Sequence, residues 1–455
     1  MARSRLLVLV HRIADDPLYR GSLVMLTNTA ALSALGFVFW ALAARSYPAA
    51  TVGSFSGLTS GINLFAAVAA LGLPNVITRH LSGAPNPLGL MAMALAAITA
   101  LGGTLCAISV LVLGPHLPAA LHLQQDDRIV FLFTVLVIGT ALSGAIGAGL
   151  VAVRATQAVL WTNLAGALAR LVAVCLLTSM RSSGLVIAFS LGLTLATLLS
   201  ALSLAARVPG GDRRVAPFQP LQGHLTAAGR VYIGTILGIL PSTVVPLEVL
   251  AARGPAQTAP FAISFLVAGF LNVIPSTTSQ VLFAEASRRG THLSRQLPKA
   301  LRTSYGLLIP ALVIVVAGAP VIMRIFGASY AARATDCLRV LALSAILTSA
   351  SYLVDSLLIA RDRTGAYLFM NGANAALVLG LVYALVPRGL AGAAAGWALA
   401  QAASLLLGLI VLATGGIGRH RRNGTMPPAA TAERASPDSY HGQFRAGRTT
   451  AQGAR

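Results

Sequence analysis

Long apolar runs, separated by short polar links, follow one another along almost the whole chain. They fall at about 21–44, 52–73, 88–113, 130–153, 155–179, 184–206, 226–252, 257–283, 304–326, 336–360, 364–386 and 389–413. A helix crossing a bilayer core needs roughly 20 apolar residues rising about 1.5 Å each. The pattern therefore predicts an all-α polytopic membrane protein with about twelve transmembrane helices. Two pairs, 130–153 with 155–179 and 364–386 with 389–413, are spaced so closely that sequence leaves their separation open.

The first two runs make a hairpin from Arg20 to Arg79, joined by Arg45-Ser46-Tyr47-Pro48. Its tetrapeptide Leu42-Ala43-Ala44-Arg45 returns as Leu250-Ala251-Ala252-Arg253, again at the end of one run and before the next. In that alignment Phe55-Ser56 meets Ile263-Ser264, and Asn63 falls one step from Asn272. An internal duplication follows, giving two six-helix halves. The boundaries expected are 21–206 and 226–413. A polar linker, 207–225, carries Pro209-Gly210-Gly211-Asp212-Arg213-Arg214 and Pro217-x-x-Pro220 between them. A basic tail, 414–455, has no apolar period and is expected to be disordered. At the other end, 1–20 places Leu6, Leu9, Val10 and Ile13 on one helical face, as a surface-lying amphipathic segment or a frayed end. Leu6 to Val10 is too short an apolar core for a signal peptide.

Composition agrees with this picture. The chain is 56% hydrophobic and 10% charged, with mean hydropathy +0.78, too little polar surface for a soluble fold of this length. The net charge of +21 does not point to nucleic acid, because the arginines punctuate the ends of apolar runs. Anionic membrane lipids and topology account for them. Of 33 Lys+Arg, 24 fall on the side that holds both termini and eight on the opposite side. That bias predicts cytoplasmic termini in the cytoplasmic membrane. The basic segment Glu285 to Arg302 would lie on the same inner side, against anionic lipid. No loop is long enough for a soluble domain. Cys106, Cys175 and Cys337 lack metal-ligand spacing, so no metal or other cofactor is called for.

Enzyme signatures are missing: no Gly-x-Ser-x-Gly, no His-Glu-x-x-His, no P-loop, no paired Cys-x-x-Cys. Asp126-Asp127 offers a possible metal–nucleotide site but suits a helix start better. Ionisable residues inside the membrane carry more information, since each costs roughly 2.5–3.5 kcal/mol at the bilayer centre. Arg170, past the middle of the fifth helix, is the leading candidate for a cavity-facing cation. Asp355 in the tenth helix is a candidate coupling carboxylate or a partner for Arg170. Glu248 reads as an interfacial partner of Arg253. Arg45 and Arg253 at the outer helix ends, with Arg79 and Arg230 at the inner ends, are snorkelling anchors or rim ligands. Asn28, Asn63, Asn272 and Gln280 bridge helices or line a cavity. Pro241 and Pro246 in the seventh helix and Pro275 in the eighth mark candidate hinges, with no counterpart in the opening helix.

One further set of residues has a family likeness. Asn28, Phe37-Val38-Phe39-Trp40, Ala43-Ala44-Arg45-x-Tyr47-Pro48, Val52-Gly53 and Leu71-Gly72-Leu73 resemble the polysaccharide-transporter branch, the O-antigen flippase (Wzx-like) branch, of the multidrug/oligosaccharidyl-lipid/polysaccharide (MOP) exporter superfamily. Phe326-Gly327-x-x-Tyr330, Leu338-x-x-Leu341-Ala342, Arg154 and Arg170 are similar to that family too. The resemblance implies two six-helix bundles around a central cavity, working by alternating access on undecaprenyl-diphosphate-linked oligosaccharide, alongside polysaccharide assembly proteins. Arginines in the cavity would suit a lipid diphosphate. Drug-exporting relatives use intramembrane acids, and the first helical pair here has none. The expectation is a non-enzymatic flippase for a lipid-linked glycan. An ion-coupled small-molecule exporter, a membrane glycosyltransferase or polymerase, and a scaffold are the alternatives.

Overall fold

The computed structural model describes residues 17–112, 127–208, 225–286, 293–360 and 363–414. Most of the segment 1–20, most of the linker 207–225 and the tail beyond Thr414 lie outside the described residues. So does Asp126 of the external acidic pair. Within the described residues the chain forms α1 (Pro17–Ser46), α2 (Ala49–Ala69), a short α3 (Leu73–His80), α4 (Pro87–Val112), α5 (Asp127–Ala152), α6 (Thr156–Leu176) and α7 (Arg181–Ala205). The second half is α8 (Leu225–Arg253), α9 (Pro255–Ala286), α10 (Leu293–Phe326), α11 (Ala328–Ala360), α12 (Thr364–Leu385) and α13 (Leu390–Thr414). Every one except α3 is long and apolar enough to cross a membrane, which makes twelve.

The links show why the runs break where they do. Tyr47 is buried beside Pro48, and its hydroxyl donates to the Val174 carbonyl at 3.1 Å, tying the α1–α2 link to α6. Burial raises the Tyr47 phenol above its ordinary pKa, which keeps it a neutral donor. The second run was expected to continue to 73. The helix ends instead at Ala69, because Leu71 and Gly72 take positive φ, 48° and 70°. Pro74 then opens α3. Glycine suits this corner on two counts, its φ and the Tyr232 ring, whose Cδ2 lies 3.1 Å from where a Cβ would sit. Arg154, at φ 58°, separates α5 from α6, and the closely spaced pairs are distinct helices. Two boundaries move the other way. Helix α10 begins at Leu293, so Lys299 and Arg302 of the expected loop are helical, and α11 begins at Ala328 rather than near 336.

Apolar side chains on the outer faces are exposed, as lipid-facing ones must be, and small residues set the helix contacts. Between α6 and α7, a Cβ on Gly166 would lie 2.5 Å from the Gly192 carbonyl, and one on Gly192 would lie 2.6 Å from the Gly166 carbonyl. The backbones touch there. Helix α2 packs against both α8 and α9, and α1 against α9 and α10, so the halves interlock. A Cβ on Gly53 would fall 1.8 Å from the Pro255 carbonyl. Helices α2 and α9, which correspond in the sequence repeat, are among the most enclosed. Near the α1–α2 link the halves share one core, running from Phe39, Tyr47 and Phe55 through Val245 and Phe261 to Phe326 and Trp397. Away from that rim the cores separate: Ile62, Ile98 and Leu150 belong to the first half alone, Leu271, Leu308 and Ala345 to the second.

Candidate functional site

Arg170 projects from α6 into a cleft bounded by α1 and α7. Its guanidinium carbon is 4.5 Å from the Phe189 ring centroid and 5.7 Å from that of Phe39. Phe39, Trp40, Phe55 and Phe189 form a connected cluster with centroid separations of 5.6–6.0 Å. Gly192 makes the cleft possible, because a Cβ there would fall 2.9 Å from the Arg170 Cβ and 3.3 Å from its Nε. The Nε is buried and has no hydrogen-bond partner. Ring faces stabilise a cation without neutralising it. A guanidinium held this way keeps directional donors for an anion such as a phosphate. Asp355 does not serve as its partner; Arg170 forms no ion pair among the described residues.

The other sequence candidates are dispersed. Asn28 is buried and accepts from the Asn163 Nδ2 at 3.2 Å, joining α1 to α6 on the cleft helix. Arg45, at the end of α1, donates from Nε to the Ile325 carbonyl at 2.6 Å and so ties the first half to the last turn of α10. Phe37 meets Phe326 edge-on at 5.1 Å beside it. Arg253 donates to the Pro387 carbonyl at 3.3 Å. That corrects the expected pair with Glu248, whose Oε2 is buried without a partner. Five residues apart on one helix, the two side chains point about 140° from each other, so Arg253 reaches the Pro387 carbonyl instead. Arg79 is exposed on α3, and the Arg230 and Gln280 side chains lie outside the described residues. Asn63 is exposed on α2. Helix α8 runs unbroken through Pro241 and Pro246, and α9 through Pro260 and Pro275. Proline is not peculiar to these two helices, since α10 carries Pro298, Pro310 and Pro320.

Asp355 stands apart from Arg170, in a cavity of about 510 Å³ lined by the second half alone, between α8, α9, α11, α12 and α13. It is the one charged residue in the lining. Asn371 sits within hydrogen-bonding reach of it and also donates to the Tyr367 carbonyl at 3.0 Å. Around them are Asn272, Asn374, Gln401, Ser404, Ser344 and Thr348, together with Phe265, Trp397, Tyr352 and Tyr367. Charge alone does not mark the amides of α12 and α13 in the sequence. Asn371 with Asn374, and Gln401 with Ser404, stand three residues apart inside apolar runs, and that polar stripe at helical spacing is the signal that marks them.

No family model matches the sequence, and no curated protein matches it. Solved structures do. A multidrug resistance MATE family transporter of the MOP superfamily in its inward-facing conformation superposes with TM-score 0.66 at 18% identity, covering 85% of this chain and 96% of that one. Its outward-facing counterpart gives 0.60 at 18% identity, over 89% and 96%. The lipid II flippase MurJ in an inward closed conformation gives 0.65 at 12% identity, over 86% and 87%. With twelve helices long and apolar enough to span a membrane, in two helical halves, this chain thus has a fold similar to that of these MATE and MurJ transporters.

Proposed function

We propose that the protein is a membrane transporter working by alternating access, and that its cargo is a lipid-diphosphate-linked oligosaccharide moved across the cytoplasmic membrane for surface polysaccharide. Undecaprenyl diphosphate is the carrier that fits the sequence resemblance. The observation that carries the reading is Arg170: an intramembrane cation held by rings, with a buried Nε free of protein partners. A charge placed so costs folding energy unless a ligand uses it. A diphosphate crossing an apolar medium needs such a donor. One structural neighbour is a lipid II flippase, which supports a cargo of this class. Alternating access asks that the rim contacts break, and Arg45 with Phe37 on α10 are the first to go. Anionic inner-leaflet lipid would meet Lys299 and Arg302 on the first turns of α10, and assembly proteins would take the product.

The test is Arg170→Ala alongside Arg170→Lys. Export should be lost in the first and weakened in the second, at normal protein levels. Unchanged export in Arg170→Ala would remove the site.

Asp355 favours a second reading, an ion-coupled exporter of small molecules, as the one carboxylate lining this cavity and as the candidate coupling group. If Asp355 couples, Asp355→Asn uncouples transport from the ion gradient; an unchanged gradient dependence removes it from that role.

A further inference from the structure

We propose that the cavity lined by the second half is the sugar-binding subsite of the transporter, distinct from the Arg170 site of the first half that takes the phosphates. The inference rests on the flippase reading and divides the cargo between the halves: charge to one, hydroxyls to the other.

Gln401 leads to this conclusion. It is 3% exposed and lines the cavity. Its carboxamide both donates and accepts. Asn272, on the facing helix α9, has a buried Oδ1 with no donor. A buried acceptor left unpaired costs about 1–3 kcal/mol, so a group of this kind is kept where a ligand completes it. Asn374 is preset differently: its Oδ1 is taken by the Ser404 hydroxyl at 2.9 Å, which leaves the amide N–H₂ turned to other acceptors.

The cavity therefore presents donors and acceptors together, with one carboxylate. A cation would use the carboxylate and aromatic faces, but it accepts no hydrogen bond and would leave the Gln401 and Asn374 N–H₂ groups idle. A phosphate would be repelled by Asp355. Sugar hydroxyls donate and accept at each position, and the C–H face of a pyranose ring packs on an aromatic such as Trp397. At about 510 Å³ the space lies within the roughly 300–1,000 Å³ usual for ligand sites, enough for one or two sugar rings.

The test uses full-length protein in nanodiscs and two kinds of probe, farnesyl diphosphate and the same lipid glycosylated with glucose, galactose or N-acetylglucosamine. At least one glycosylated probe should bind about tenfold tighter than the bare diphosphate. Gln401→Ala and Trp397→Ala should each erase that gain while binding bare diphosphate normally, which also shows that they fold. Asp355→Asn, which keeps hydrogen-bonding capacity, should retain most of it. If no glycosylated probe exceeds the bare one, or the Gln401 variant keeps the full gain, the subsite is wrong. Binding of tetraphenylphosphonium in the cavity, lost in Asp355→Asn, would also overturn it in favour of a cation. Failure of the flippase reading looks different: bare diphosphate would not bind, or Arg170→Ala would bind it as well as wild type.

Discussion

Arg170 and Gly192 illustrate how single residues shape the candidate site. A glycine on α7 opens the room that an arginine on α6 fills, and Phe189 from the next turn of α7 covers the guanidinium. Gly166, one turn before Arg170, brings the two backbones together. Gly166→Val would push side-chain atoms into the Gly192 carbonyl and the Ala196 methyl, 2.5 and 2.6 Å from the new Cβ. Overpacking of this kind costs about 1–3 kcal/mol, so detergent-solubilised Gly166→Val should unfold at a lower temperature than wild type. Arg170→Ala should not, because it removes a desolvated charge and keeps the helix contact. The two variants separate stability from transport: one lowers the melting temperature, the other lowers export.

At the scale of elements, α2 and α9 are the seam, and Arg45 fastens one of its ends. Ser56 is buried on α2, near the face where Gly53 meets Pro255. With the native cysteines replaced, Ser56→Cys should react slowly with a maleimide, and adding Arg45→Ala should speed the reaction several-fold by freeing the Ile325 carbonyl and loosening the rim. An unchanged rate would mean that the rim is held by the shared core alone. Helix α8 invites a different test. Pro241 and Pro246 leave the Leu237 and Ser242 carbonyls without their helical donors, and Gly238, Pro241 and Ser242 line the second-half cavity. Restoring both bonds with Pro241→Ala and Pro246→Ala should stiffen α8 and slow transport several-fold without reducing folded yield. Transport at the wild-type rate would end the hinge role of this pair. The element boundaries were largely legible beforehand, because bilayer thickness fixes the length of each apolar run. The break at Ala69 was not: it depends on Leu71 turning left-handed against Tyr232, a contact between residues far apart in sequence.

For the whole molecule, the repeat of Leu42–Arg45 at Leu250–Arg253 pointed to paired halves, and α2 and α9, which it aligns, are both about half buried. Arg170 was legible because charge is rare in apolar runs. Gln401 and Asn374 were not, since uncharged amides are common helix-to-helix glue and only the three-dimensional lining reveals which face a cavity. Arg45 and Arg253, alike in the repeat, diverge in space: one reaches across to Ile325 in the other half, the other to Pro387 in its own. The halves are thus asymmetric, with an arginine among rings in one and an amide-lined cavity around Asp355 in the other, and this asymmetry is what a cargo with a phosphate end and a sugar end would meet. The most direct measurement compares lipid-linked glycans in cells with and without the protein, using a glycosidase added from outside to spacious vesicles of known orientation. A diphosphate-linked glycan should accumulate on the inner leaflet, shielded from the enzyme, and become accessible again on expressing wild type but not Arg170→Ala. An unchanged glycan pool, with new sensitivity to cationic drugs, would contradict the account.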